Sequence, residues 1–277
     1  MRRQFRQVDV FTEEALLGNP VAVVHDADDL SDDEMRRFAS WTNLSETTFL
    51  LAPADERADY RVRIFTPKRE LPFAGHPTLG SAHAWLEAGG QPASQDTIVQ
   101  ECAVGLVPVR LSPGNRLAFE APPLFRSGPV EEPLLLEIAA SLRVKREDIV
   151  DAQWADNGPG WVAVQLASAD AVLAIEPGVV AGSTGVFGAY PPGSPEAFEV
   201  RAFTQLINGT GEDPVTGSLN ASLAMWLLSS GKATAPYTAS QGTALGRRGR
   251  VHVSVDADGR IWVGGSTRTL ISGGMLL

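Results

Sequence analysis

Val62-Arg63-Ile64-Phe65-Thr66-Pro67, followed by Phe73-Ala74-Gly75-His76-Pro77-Thr78-Leu79-Gly80-Ser81, returns later in the chain as Val200-Arg201-Ala202-Phe203-Thr204, followed by Gly211-Glu212-Asp213-Pro214-Val215-Thr216-Gly217-Ser218. Both copies run on into a stretch of Ala, Leu and Trp. Aligning their small residues sets Pro77 with Pro214, Gly80 with Gly217 and Ser81 with Ser218, and places His76 opposite Asp213. A strand, a small-residue turn and a helix start are duplicated, each copy with one ionisable residue at the turn. This pattern predicts a two-lobed active site.

The stretches after the two turns decide the architecture. Residues 79–86 and 219–228 are apolar nearly all round, so a helix there is buried rather than lying on a surface. The helices are expected from about Pro77 to Glu87, stopped by Gly89-Gly90, and over about 217–230, stopped by Gly231. Strands outnumber helices around them. Alternation or β-rich runs predict strands at 5–11, 21–24, 44–51, 60–66, 97–102, 104–111, 161–166, 184–190, 249–255, 260–264 and 266–272. Turns are expected at Gly18-Asn19-Pro20, Pro113-Gly114-Asn115 and Asp256–Gly259. Ser31 with Glu34 reads as a capping box opening a helix that carries Met35, Phe38 and Trp41. A further helix is expected at 133–142. Residues 120–133, with Pro122, Pro123, Pro129 and Pro133, read as an inter-lobe linker. The fold class that satisfies these constraints is α+β: a curled sheet wrapped around one central helix, twice.

The chain has 277 residues, enough for one large domain or two ordinary ones. No run of 18 apolar residues occurs, and a strand pattern rather than an apolar signal core follows Met1-Arg2-Arg3. The formal net charge of −10 argues against sequence-independent nucleic-acid binding. The single cysteine, Cys102, forms no internal disulfide and fits a reducing compartment. Expected partners are therefore neither nucleic acid nor membrane.

The helix starts draw attention as sites. Free N–H groups and the helix dipole attract anions there, and Gly80, Ser81, Gly217 and Ser218 leave room for a ligand. Close packing of the helix is the competing reading of the same small residues. His76 and Asp213 are the polar groups at these turns. His83 lies two helical turns beyond His76, on the same face, and no third ligand at metal spacing accompanies them, so no metal is expected. Glu46 opens an apolar strand. There it is either a carboxylate suited to proton transfer near neutral pH or a solvent-facing strand residue. The chain has no Gly-x-Ser-x-Gly, Walker loop or dinucleotide fingerprint, and nothing local activates Cys102. Cofactor-free proton transfer is the chemistry that uses the groups available.

Four segments carry a family resemblance: Gly18-Asn19-Pro20-Val21-Ala22-Val23, Asn43-Leu44-Ser45-Glu46-Thr47-Thr48-Phe49, Phe73-Ala74-Gly75-His76-Pro77 and Glu212-Asp213-Pro214-Val215-Thr216-Gly217-Ser218. At these separations the chain resembles the PhzF family, named for the phenazine-biosynthesis isomerase. The resemblance implies the diaminopimelate-epimerase-like fold, with two pseudo-symmetric lobes, each a barrel-like sheet around a central helix. The implied division is an N-terminal lobe of residues 1–118, to which the C-terminal strand 265–277 returns, and a C-terminal lobe of residues 119–264. It also implies a cytoplasmic homodimer and a cofactor-free isomerase of the trans-2,3-dihydro-3-hydroxyanthranilate isomerase type, acting on a small carboxylated substrate. By the same resemblance Glu46 is the acid/base, His76 and Asp213 are its catalytic partners, and Ser45, Gly75, Gly217 and Ser218 bind substrate. The chain differs from the phenazine enzyme after Thr216-Gly217-Ser218, where Leu219-Asn220-Ala221-Ser222 replace smaller residues. It differs again in the tail, at Leu245-Gly246-Arg247-Arg248-Gly249-Arg250.

Two other functions compete. One is an amino-acid racemase or epimerase, whose two-base chemistry uses two cysteines where this chain has one, outside both motifs. The other is a non-catalytic small-molecule-binding protein on the same fold.

Overall fold

A computed structural model describes residues 1–112, 116–180, 182–206 and 209–277. The turn expected at 113–115 lies outside the described residues. The chain divides into two compact units, Met1–Glu120 with Gly264–Leu277, and Ala121–Val263.

The first unit holds β1 (Arg2–Val10), β2 (Asn19–Val24), α1 (Asp32–Thr42), β3 (Glu46–Leu51), β4 (Tyr60–Phe65), β5 (Glu70–Leu71), α2 (Gly75–Glu87), β6 (Thr97–Cys102), β7 (Gly105–Ser112) and β8 (Arg116–Glu120). The second holds β9 (Arg126–Pro129), α3 (Glu132–Leu142), β10 (Asp151–Asp156), β11 (Trp161–Gln165), α4 (Ala169–Leu173), β12 (Ser183–Ala189), β13 (Phe198–Leu206), β14 (Gly209–Asp213), α5 (Gly217–Ser229), β15 (Tyr237–Gln241) and β16 (Gly249–Val255). The last strand, β17 (Ile261–Leu276), starts in the second unit and runs on into the first.

In the first unit β1 pairs antiparallel with β2, β2 parallel with β3, β3 antiparallel with β4, β4 parallel with β6, and β6 antiparallel with β7. β7 then pairs with β8, β8 with β17 and β17 with β1, which closes an eight-stranded barrel. A closed barrel has no edge left to aggregate. The second unit repeats the series: β10 antiparallel to β11, β11 parallel to β12, β12 antiparallel to β13, β13 parallel to β15, and β15 antiparallel to β16.

Each unit contains a 13-residue helix that is buried on almost every side. α2 packs against β1, β2, β3, β6, β7 and β8. Leu79 and Ala82 on α2, and Leu219, Ala221 and Ala224 on α5, are fully enclosed. The absence of a polar stripe on either helix is what makes this enclosure necessary. At Gly80 a Cβ would lie 2.3 Å from Val21 Cγ1, and Ser81 donates to Thr48 Oγ1 at 2.9 Å. These two small residues serve packing, not a ligand. α1 starts with the capping box expected: Ser31 Oγ accepts from Glu34 N, and Glu34 accepts from Ser31 N at 2.8 Å. Met35 and Ala39 bury its apolar face against Val24, Phe49 and Phe65.

The proline-rich segment 120–133, expected as a linker, is more than that. Its Arg126–Pro129 pairs antiparallel with β10, and α3 opens with Pro133 at a position where a missing N–H costs nothing. The strands β5, β8, β10, β14 and β15 and the helix α4 were not anticipated; each is short, and β8, although it alternates with Leu117 and Phe119 buried, has only five residues. The two tail strands expected at 260–264 and 266–272 are one strand of 16 residues. Gly264-Gly265 looks like a break, but Gly264 is there for proximity: a Cβ on it would sit 2.2 Å from the Leu117 carbonyl oxygen.

The register of the repeat also changes. Arg63 holds Glu70 with two hydrogen bonds of 2.7 Å, and Arg201 holds Glu212 with bonds of 2.9 and 2.8 Å. Phe65 pairs with Glu70 across one hairpin and Phe203 with Glu212 across the other. From each glutamate five residues lead to a helix-opening glycine, Gly75 or Gly217. The structural counterparts are therefore Gly75 with Gly217 and His76 with Ser218. Asp213 corresponds to Leu71, not to His76. The second hairpin is four residues longer than the first between arginine and glutamate. Matching prolines across that insertion shifts the helix starts out of register.

Replacing Gly264 with Ala should lower stability by about 1–3 kcal/mol, because a backbone oxygen cannot swing aside. Gly273→Ala, with nothing within 4 Å of its Cβ, should change it by no more than about 0.5 kcal/mol. Urea denaturation of the two variants compares them directly.

Candidate functional site

In the first unit the loop after α1 turns on Asn43, which caps the helix in the left-handed conformation (φ 54°). Ser45 stands exposed on that loop. Glu46 follows as the first residue of β3, and beyond it Thr47 and Thr48 are buried. Thr47 bonds Thr42 at 3.1 Å, which ties the strand start to the end of α1. His76 is the second residue of α2, and its Nε2 lies 3.3 Å from Glu46 Oε2. Only 6% of the imidazole and 16% of the Glu46 side chain reach solvent. Nδ1 of the ring faces the Asn19 side-chain amide at 3.5 Å.

Burial pushes the pKa of His76 down to about 3, and a hydrogen bond to the Pro20 carbonyl opposes this only partly. The ring is neutral at pH 7. A charged imidazolium would hold Glu46 as a permanent carboxylate. A neutral ring lets that carboxyl gain and lose a proton without making or breaking an ion pair. His83, expected on the same helix face, serves another purpose. Its ring nitrogens meet Thr267 at 2.9 Å and Thr269 at 3.1 Å, which fastens α2 to β17.

In the second unit Asp213 ends β14, and Pro214 lies before the helix rather than in its first turn. Thr216 is the N-cap of α5, but its hydroxyl does not cap. It donates to Asp213 Oδ2 at 2.7 Å. Gln241, at the end of β15, fixes the polarity of this contact. Its Oε1 accepts from the Thr216 backbone N–H at 3.0 Å, and its Nε2 donates to the Asp213 carbonyl at 3.1 Å. With the amide oriented by these two backbone groups, Nε2 also donates to Thr216 Oγ1 at 2.9 Å, so the threonine hydrogen goes to Asp213. Asn220 adds a bond of 2.8 Å to Gln241 Oε1. Asn220 and Leu219 are both buried. Leu219 fills the space beside Gly185. Sequence reading missed Gln241, because a lone polar residue in a short strand carries no pattern.

Both central helices open on a buried glycine, and neither N-cap, Ala74 or Thr216, offers its side chain to the first turn. The early N–H groups of α2 and α5 thus remain available to an anion. Among the described residues no His, Cys, Asp and Glu cluster has the makings of a metal site.

The two units differ chemically at matched places. Glu46 lies beside Val21 across a parallel pair, one residue before the partner of Phe65. Ser183 lies beside Trp161 across a parallel pair, one residue before the partner of Phe203. Ser183 is therefore the counterpart of Glu46, and Ser218 the counterpart of His76. The carboxylate–imidazole pair occurs in one unit, and two hydroxyls replace it in the other.

Residues 8–274 match the family model described as phenazine biosynthesis-like protein, PhzC-PhzF. The chain is 38% identical to antisense-enhancing sequence 1 of Schizosaccharomyces pombe, over 97% of each chain. It is 36% identical to trans-2,3-dihydro-3-hydroxyanthranilate isomerase of Pseudomonas fluorescens, over 87% of this chain and 86% of that one. The crystal structure of a Bacillus anthracis phenazine biosynthesis protein of the PhzF family superposes with a TM-score of 0.82 over the whole of both chains, at 22% identity. That likeness shows the fold, the two-lobed epimerase-like arrangement of sheets around central helices.

Because His76 is neutral when folded and titrates near 6.5 when unfolded, the unfolded chain binds more protons between those values. Stability therefore falls as pH drops from about 6.5 toward 3. His25, lowered to about 4 chiefly by burial and then by Arg6, acts in the same direction. Melting curves from pH 7 to pH 4 should show a shallower loss for His76→Asn than for wild type.

Proposed function

The chain belongs to the phenazine biosynthesis-like (PhzF) family of isomerases, and on that premise we propose that it moves a proton between two carbons of a small carboxylated substrate, without a cofactor, using Glu46 as both acid and base. The observation that carries this reading is the Glu46–His76 pair at 3.3 Å, with Ser183 and Ser218 at the matched positions of the other unit. A single proton carrier suits a shift along one face of a substrate. Glu46 takes the proton as a C–H bond breaks. The electron pair moves along the conjugated system, and a new C–H bond forms at another carbon from the same carboxyl, which ends as it began.

In this proposal His76 is a neutral neighbour in contact with Glu46, its Nε2 3.3 Å from Oε2, and Asp213 accepts a hydrogen bond from a polar group of the substrate. Ser45 and Gly75 in one unit, and Gly217 and Ser218 in the other, are the substrate-binding residues of this reading. A homodimer in the cytoplasm completes the reading. Names of the relatives make dihydro-hydroxyanthranilate the first substrate to try.

A two-base racemase needs a second acid or base opposite the first. The matched positions in the second unit carry serines, and burial raises the pKa of the Cys102 thiol, which keeps it protonated at neutral pH. A binding protein has no use for a carboxyl held beside a neutral imidazole.

Glu46→Gln should lower turnover by about 10²–10⁴-fold with its melting temperature nearly unchanged. Proton NMR in heavy water, on dihydro-hydroxyanthranilate and related acids, reads both isomerisation and deuterium incorporation. Full activity in this variant overturns the assignment. Cys102→Ser should be fully active, and inactivity there would instead favour thiol-based racemisation.

A further inference from the structure

Behind Asp213 the side chains of Asn220, Gln241 and Thr216 form a hydrogen-bonded series that runs in one direction. Gly242, just past β15, allows the close approach it needs: a Cβ there would lie 2.6 Å from the Pro214 carbonyl oxygen. The fully buried Gln241 is thereby set against residues 213–216. Asn220 Nδ2 donates to the Thr216 carbonyl at 2.9 Å and to Gln241 Oε1 at 2.8 Å. A carbonyl only accepts, so neither amide can be reversed. Gln241 Nε2 therefore donates to Thr216 Oγ1, and the threonine hydrogen goes on to Asp213 Oδ2. A threonine at an N-cap ordinarily turns its hydroxyl oxygen to the N–H groups of its own first turn, and Thr216 gives that up.

The first unit does without this series. With Arg63 matched to Arg201, the parallel pair Arg61–Glu101 answers to Glu199–Ser240, so the residues that follow, Cys102 and Gln241, are counterparts. Leu71 stands where the second unit has Asp213, and Ala74, the N-cap of α2, stands where it has Thr216. Leu71 and Ala74 have no polar side-chain atoms, and yet α2 is as long as α5 and as deeply enclosed. The series in the second unit is thus not a demand of the packing, and the group at its end is Asp213. A hydroxyl hydrogen held on Oδ2 opposes a carboxyl proton on the same oxygen, which keeps that carboxylate an acceptor.

We propose that Gln241 is a positioning residue for the reaction: acting through Thr216, it holds the Asp213 carboxylate in one orientation and keeps it an acceptor toward the substrate. Asn220 acts one step further back, by fixing the Gln241 amide. This rests on the reading above that Asp213 receives a hydrogen bond from the substrate. Polarity, not shape, is what Gln241 supplies. Gln241→Glu keeps the shape and reverses the polarity, so that an acceptor faces Thr216 Oγ1 and draws its hydrogen off Asp213.

Carbon NMR of the full chain, labelled at its aspartate carboxyl carbons, follows Asp213 through a pH titration without any substrate, and Asp213→Asn identifies the signal. Thr216→Val, which replaces the hydroxyl with a methyl group, should raise the Asp213 midpoint by about one pH unit relative to wild type, and Thr216→Ser should restore it. Gln241→Glu should raise it at least as far. Thr216→Val carries the test should the buried charge of Gln241→Glu prevent folding. Deuterium incorporation into dihydro-hydroxyanthranilate should show kcat/KM about tenfold lower in Thr216→Val and recovered to within about threefold in Thr216→Ser. In the Asp213→Asn background Thr216→Val should cost no more than about twofold further, because its route to the substrate is already cut. A midpoint unmoved by Thr216→Val overturns the proposal. So does a loss of activity from Thr216→Val that is the same with and without Asp213. Moved midpoints, with Asp213→Asn as active as wild type, would instead overturn the reading that Asp213 meets the substrate, so the two failures are told apart.

Discussion

A helix without a polar face has to be covered on every side, and the rest of this protein depends on that constraint. α2 and α5 carry Leu, Ala, Trp and small residues around their whole circumference. No single sheet or helix buries such a rod. A sheet curled around it does, and in the first unit that sheet closes on itself through β17. Enclosure leaves only the helix end as a place where backbone meets anything else. The opening glycines and the unused caps at Ala74 and Thr216 make those ends receptive to anions. The site is thus a consequence of how the core packs.

On this repeated frame the side chains have diverged. The hairpins keep the same arginine–glutamate pair, Arg63 with Glu70 and Arg201 with Glu212, and Arg201 also bonds the carbonyls of Val172 and Ile175. These pairs are structural. With 5% and 11% of their side chains exposed, Arg201 and Glu212 would each be costly to leave alone. The matched positions nearest the helix starts are free to differ. One unit places a carboxyl against a neutral imidazole. The other places Ser218 between Trp161 and Asn157, and fixes Asp213 through Thr216 and Gln241. The first arrangement offers a carboxyl beside a neutral imidazole, and the second offers hydroxyls and amides of fixed polarity. That difference supports the proposed one-base reading over a two-base one.

Much of this was legible in the chain. The apolar helices announced themselves because burial on all sides needs no phase. The capping box at Ser31 and Glu34 is a local device and appears as read. The hidden parts depended on non-local contact. β10 and β15 take their conformation from neighbouring strands rather than from their own alternation, and β8 alternates over too few residues to stand out. Gly264 looked like a break because its reason, the Leu117 carbonyl oxygen, is far away in the chain. His83 looked like a companion to His76 until Thr267 and Thr269 were seen to occupy it.

By itself the sequence determined that an α+β fold would be built twice around buried helices, since the all-round apolar character of the helices and the alternation of the longer strands are written locally. It also marked Glu46, His76, Asp213 and Ser218, through motifs and family resemblance. Only the tertiary structure decided which residues correspond. Pairing across the hairpins showed that His76 answers to Ser218, and Glu46 to Ser183, because a four-residue insertion shifts the motif without shifting the helix. Only the tertiary structure, too, made His76 neutral and gave Gln241 and Asn157 their places. Burial and hydrogen-bond direction depend on the groups around a side chain, and a linear sequence does not contain its surroundings.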